Sequence, residues 1–116
     1  MQKNSKVRGF WGEQLATALL KQKGHKILEN NYKRLTGEVD IISRDGHCVV
    51  FTEVKTWLGT PIDDLGRAIS AVKISRIQKT AILFMQDYPD ADDCTMRFDV
   101  IVMDRHSGLL HFCDAF

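Results

Sequence analysis

An α/β fold, with a mixed sheet covered by helices, is what this sequence predicts, and three observations predict it. Apolar residues recur at helical spacing in two stretches, residues 9–23 and 63–85. Runs rich in Val, Ile and Phe, alternating as strands do, lie between and after them. The resulting order of helix, strands, helix and strands is met most economically by one sheet with helices packed on it.

In the first helix the inward stripe is read as Trp11, Leu15, Ala18 and Leu19, widened by Ala16 and Leu20, with Gly24 as the C-terminal stop. Residues 25–32, with Ile27, Leu28 and Tyr32, supply a first strand. Residues 37–43 form the next, placing Val39 and Ile41 on one face and Glu38, Asp40 and Ile42 on the other. Asp45-Gly46 is a hairpin signal, and residues 47–55 are the returning strand. Residues 57–62 form a loop around Gly59 and Pro61. The second helix, over 63–85, takes Asp63 or Asp64 as its cap and turns Leu65, Ile69, Val72, Ile77, Ala81 and Phe84 inward. An acidic connection over 87–93 leads to two more strands at 96–104 and 109–112, joined at His106-Ser107-Gly108.

The bulk properties fit one domain over residues 1–116, with 44% hydrophobic residues to build its core. No run approaches the roughly 18 apolar residues of a membrane span, and residues 1–8 carry no secretory signal. Cys48, Cys94 and Cys113 make an odd set without paired spacing, which reads as reduced thiols in a cytoplasmic protein. His25, His47, His106 and His111 show no metal-ligand spacing. Net charge is only +1, but its distribution is uneven. Residues 1–36 carry eight Lys/Arg against two acids and residues 67–86 four against none, whereas 37–66 hold six acids against two bases and 87–116 seven against two. Such blocks suit solvated faces, and they equally suit a basic rim around an acidic pocket.

The hairpin concentrates the chemistry. With Asp45 and Gly46 as turn residues, Asp40 lies opposite Phe51 and Glu38 opposite Glu53, so Glu38, Asp40, Glu53 and Lys55 project to one side. A four-residue loop keeps that relation; a loop one residue longer or shorter breaks it. Like charges facing each other across strands repel, the more so beside Ile41, Val50, Phe51 and Val54. One resolution is a surface ion-pair network neutralised by Lys55. The other is a divalent cation, and hard carboxylate oxygens without clustered Cys or His favour Mg²⁺ or Mn²⁺. Glu13, Ala16 and Leu20 lie at i, i+3 and i+7, so a stripe that faces the sheet carries Glu13 with it, and Gly12 would let the helix approach closely. Lys73, Arg76 and Lys79 lie three apart on the second helix, as a phosphate-tracking stripe or a solvated face would.

Gly37-Glu38-Val39-Asp40, twelve intervening residues and Glu53-Val54-Lys55 together resemble the PD-(D/E)XK nuclease signature. With Gly12-Glu13, Ala16, Leu20, Asn31-Tyr32, residues 51–55, Lys73 with Arg76, and Arg97-Phe98-Asp99-Val100, the chain is similar to the bacterial YraN-like family over residues 9–102. That resemblance implies a restriction-endonuclease-like α-β-β-β-α-β core, a mixed sheet flanked by helices, similar to archaeal Holliday-junction resolvases. It implies Glu13 as a further acidic ligand from the first helix. Trp57 departs from the pattern, standing where the family often carries a basic residue, and either packs under the loop or stacks on a base.

The expected activity is metal-dependent hydrolysis of nucleic-acid phosphodiester bonds, structure-directed, on DNA in preference to RNA. Asp40 and Glu53 hold the ion, Lys55 orients or deprotonates the attacking water, Glu13 binds a second ion or positions water, and Glu38 assists through water. Lys73, Arg76 and Lys79 are the expected nucleic-acid contacts. The rival expectation is a non-catalytic module that binds nucleic acid or a protein on the same fold. The apolar stretch 109–116 offers an edge through which two copies could form a homodimer.

Overall fold

A computed structural model of the protein describes residues 5–57, 69–104 and 108–116, with the side chains of 5–10 and 57 outside the description. Helix α1 (Ser5–Gln22) is followed by strands β1 (Lys26–Arg34), β2 (Gly37–Asp45) and β3 (Cys48–Trp57). Helix α2 (Ala71–Asp87), a 3-10 turn (Ala91–Asp93) and strands β4 (Thr95–Asp104) and β5 (Gly108–Phe112) complete the order. The five strands form one sheet in chain order, antiparallel except for β3 and β4, which run parallel across the α2 connection. The expected α/β architecture and its α-β-β-β-α-β order are therefore present, with β5 added at an edge.

Two helices cover opposite faces. Ile42 and Phe51, paired across β2 and β3, pack with Ile77, Ala81 and Phe84 of α2. Their neighbours along the strands, Ile41 and Val54, point the other way and pack with Ala16 and Leu20 of α1. Ile69, Val100 and Val102 extend the α2-side core toward β5. Among the described residues no helix is long and apolar enough to cross a membrane.

Helix α1 ends where expected, because Gly24 adopts φ 93° and lets the chain turn back, with the His25 N–H donating to the Leu20 carbonyl at 2.9 Å. Its buried stripe is rotated from the expected one. Ala16 and Leu20 are fully buried, whereas Trp11 is 60% and Leu15 47% exposed. Gly12 is buried, yet a Cβ added there would meet Met103, Thr56 and Val54 at 3.4–3.6 Å, so a methyl group fits and glycine is not what lets the helix approach.

Helix α2 starts at Ala71, not near residue 63. Ser70 caps it, its hydroxyl accepting from the Lys73 N–H at 3.2 Å, and Ile69 reaches the core from outside the helix. Val72, expected to face inward, is 62% exposed, whereas Ile77, Ala81 and Phe84 are buried as expected. The helix stops at Tyr88, whose extended conformation is what a residue preceding proline favours. The expected caps Asp63 and Asp64, the inward Leu65, the loop over 58–62, the side chain of Trp57 and the junction residues His106 and Ser107 lie outside the described residues.

Candidate functional site

The hairpin register differs by two residues from the expected one. Asp45 pairs with Cys48, so the turn residues are Gly46 and His47, with Gly46 at φ 61°. A two-residue turn with glycine first is the type II′ solution, which outcompetes the Asp-Gly alternative here. Because the shift is even, facing partners along the ladder keep their shared face as far as Ile41 and Thr52. Ile41 pairs with Thr52 rather than Val50, and Asp40 comes beside Glu53 rather than Phe51.

The backbone ladder between β2 and β3 stops at the Ile41 and Thr52 pair. Beyond it, the Asp40 carboxylate replaces a ladder carbonyl: its Oδ2 accepts from the Val54 N–H at 2.8 Å. Strand alternation also fails at this point. Val39 packs with Tyr32 and Ile42 on the α2 side, whereas Ile41 lies in the α1-side core, contrary to the expectation that the two share a face. On β1, Asn31 sits between the residues paired with Val39 and Ile41 and adopts φ 54°. Irregular backbone on both flanks therefore sets the Asp40 carboxyl between the strands, and strain of this kind is retained where the surroundings enforce it.

Glu53 projects from β3 toward α2, and only 3% of its side chain is exposed. It shares a hydrogen bond with Asp40. Burial first, and then the Glu53 charge, push the Asp40 carboxyl up to about 7, against the opposing pull of the Val54 N–H and Lys73. Lys73, in the first turn of α2, places its Nζ 2.5 Å from Glu53 Oε1. Burial lowers the proton affinity of that ammonium, but the hydrogen bond and charge of Glu53, with Asp40 and Glu38 behind it, raise it overall.

Asp40, Glu53, Glu38 and Gly37 line one wall of a cleft of about 390 Å³, and Ser70, Val72, Lys73, Arg76 and Ile77 line the other. Gly37 is needed there, since at φ 152° an added Cβ would come within 3.0 Å of the Arg76 Cβ. The remaining residues singled out from sequence divide as follows. Lys55 lies on the same strand face as Glu53, half-buried beside Val102, but outside the described lining of the cleft. Lys73 and Arg76 reach the cleft; Lys79 is exposed and outside its lining. Glu13 opens instead into a separate recess with Gln14, Thr17, Lys21, Asn30 and Asn31. Burial, then the charge of Asp40, raise the Glu13 carboxyl, and a hydrogen bond with Asn31 lowers it. Glu13 thus senses the site electrostatically without lining it.

The sequence reading missed the pairing of Lys73 with Glu53. A cation in the first turn of a helix opposes the helix dipole, which hints at an acidic partner for Lys73, but no sequence signal names Glu53 as that partner. A second polar cluster was also missed, on the α1 face. Arg97 donates to both oxygens of fully buried Asp99, at 2.8 and 2.9 Å. The Asp114 N–H donates to Asp99 Oδ1 at 3.0 Å, and His111 Nε2 bonds Oδ2 at 2.8 Å. Burial alone would raise Asp99, but these donors together hold it well below the carboxylate range. Cys113 Sγ, 3.7 Å from His111 Nε2, completes a trio with metal-ligand atoms. Both Asp99 oxygens are already committed and Arg97 and Lys23 already supply positive charge, so this cluster reads as a structural lock.

Oxygen donors alone flank the cleft's acidic end, and two carboxyls side by side make a donor set suited to a hard divalent ion. Comparison with known proteins agrees with the YraN-like resemblance. The profile of Uncharacterised protein family UPF0102 matches residues 12–103. The chain is 37% identical over 111 residues to a UPF0102 protein of Syntrophomonas wolfei, covering 93% of this chain and 96% of that one. It is 38% identical over 103 residues to one from Treponema pallidum, covering 89% and 82% of the two chains. A relative from Geobacter metallireducens is 38% identical over 101 residues, covering 87% and 82%.

Proposed function

The chain belongs to the uncharacterised protein family UPF0102, and from the geometry of its cleft we propose that it is a metal-dependent nuclease hydrolysing nucleic-acid phosphodiester bonds. The observation that carries this reading is the meeting of Asp40 and Glu53 at one end of a cleft whose opposite wall is cationic. Two buried carboxyls forced together destabilise a fold, and such an arrangement is retained where both oxygens have a common ligand.

Mg²⁺ or Mn²⁺ bound there would polarise a phosphoryl oxygen and lower the proton affinity of a bound water. Asp40 and Glu53 would hold the ion. The Val54 N–H holds one oxygen of the Asp40 carboxylate, and the residue lines the cleft. Lys55, one pleat from Glu53, is placed to orient the attacking water and to offset charge that develops on phosphorus. Glu38, on the cleft wall, would act through water, and Glu13 would tune the site from its own recess. Arg76 and the N-terminal turn of α2 supply positive potential for the substrate backbone.

Among the described residues that line the cleft there is no aromatic side chain to stack on a base, so the reading is of backbone- and structure-directed binding, and the nuclease resemblance favours DNA over RNA. The test is cleavage of branched, single-stranded and duplex DNA and of structured RNA in Mg²⁺ or Mn²⁺. Cleavage lost in Asp40→Ala and Glu53→Ala supports the proposal. Cleavage that persists unchanged in both variants comes from another protein, and no cleavage by the wild type leaves the rival reading of a non-catalytic binding module.

A further inference from the structure

We infer that Lys73 is a resident cation of the carboxylate pair, which a divalent ion must displace from Glu53, so that metal entry and release of an ammonium toward the substrate phosphate are a single exchange. The inference rests on the metal-site reading above and adds an order of events to it.

Three features argue for exchange. Lys73 is in direct contact with Glu53 Oε1, and both residues line the cleft. A cation coordinated by the same oxygen would stand within a few ångströms of the ammonium, and like charges that close repel strongly where water is partly excluded. The mobility of the two partners also differs. Only 3% of the Glu53 side chain is exposed, whereas 50% of the Lys73 side chain is, so the lysine has a path out and the glutamate does not.

The helix then decides where the ammonium goes. Ser70 accepts from the Lys73 N–H and fixes the backbone from which the side chain springs. A flexible four-carbon stem pivoting there sweeps the cleft wall that Arg76 also lines. The released charge therefore adds to Arg76 at the place where a phosphate would enter. Before exchange it is spent on Glu53 and attracts phosphate less.

A merely positioning lysine would behave in the opposite way. If Lys73 served to orient Glu53 for the ion, its removal would weaken metal binding; if it competes with the ion, its removal strengthens it. The experiment is calorimetric titration of the full chain with Mn²⁺ at pH 8, above the Asp40 value of about 7, comparing wild type, Lys73→Met and Glu53→Gln. Lys73→Gln serves as a second variant should the first not fold.

Exchange predicts that Lys73→Met binds Mn²⁺ about tenfold more tightly than wild type, and that Glu53→Gln abolishes the heat. It also predicts that Ca²⁺ strengthens binding of a short labelled duplex by wild type more than by Lys73→Met. Equal or weaker Mn²⁺ binding by Lys73→Met overturns the exchange and leaves the metal site standing. Absence of Glu53-dependent heat in every variant overturns the metal site itself, and the exchange with it.

Discussion

The Val54 N–H donates to Asp40 Oδ2 at 2.8 Å, just past the last backbone pair of the β2 and β3 ladder. One side chain thereby closes the hydrogen bonding of two parting strands and is held against Glu53.

Asp40 carries an electrostatic cost in the metal-free protein. Its folded value is about 7 against an ordinary 3.8, so the fold favours the protonated form. Below about pH 4 both folded and unfolded chains are protonated and there is no penalty. Between about 4 and 7 the unfolded chain releases its proton first, and stability falls; above 7 the penalty is complete. Asp40→Asn, whose amide oxygen can still accept from Val54, should raise stability by about 1–3 kcal/mol at pH 8 and by nothing near pH 4. Thermal melts at the two pH values, without divalent ions, check this.

Lys55 separates chemistry from binding. Lys55→Met should lower cleavage by about a hundredfold or more, as removal of a group acting on the attacking water does. Mn²⁺ affinity should change far less than in Glu53→Gln. Single-turnover cleavage set beside metal titration reads both quantities on the same protein.

Asp99 locks β4, β5 and the C-terminal segment together through Arg97, His111 and the Asp114 backbone. Asp99→Asn leaves Arg97 only its longer 3.7 Å pairing with Asp45 and should cost about 1.5–3 kcal/mol, measured by urea unfolding. The wild-type contribution of this group is present above the unfolded carboxyl value and is lost as pH falls below it, because its folded value is depressed.

Gly37 marks the closest approach of β2 to α2. Gly37→Ala places a Cβ 3.0 Å from the Arg76 Cβ at a backbone angle that L-residues rarely adopt, and should cost about 1–3 kcal/mol. A thermal melt reads the loss, and the cleft wall carrying Arg76 must shift with it.

Much of the fold was legible because it follows from period and punctuation. Gly24 stops α1, Ile77, Ala81 and Phe84 turn inward, and the strands around Val49 and Phe51 lie within a residue or two of their expected limits. The joining of Asp40 to Glu53 survived a mistaken register although strand parity breaks at Asp40, because the Val54 N–H holds the Asp40 carboxyl between the strands, next to Glu53. Four features were not legible. Val39 departs from Ile41 because the backbone is irregular around Asp40 and Asn31, which no hydrophobic pattern encodes. Apolar residues continue helical spacing before Ser70, so the cap at Ser70 competed with a plausible longer helix. Lys73 meets Glu53 only through the tertiary packing of α2 on the sheet, and Asp99 meets His111 only through the pairing of β4 with β5.

The central claim is that Asp40 and Glu53 jointly hold one divalent ion. Anomalous diffraction from a crystal soaked in Mn²⁺ tests it most directly. The account predicts a peak about 2.0–2.3 Å from one oxygen of each carboxylate, with the Lys73 ammonium withdrawn from Glu53. A crystal that shows no peak there, or shows its peak instead at Asp99, His111 and Cys113, would contradict it.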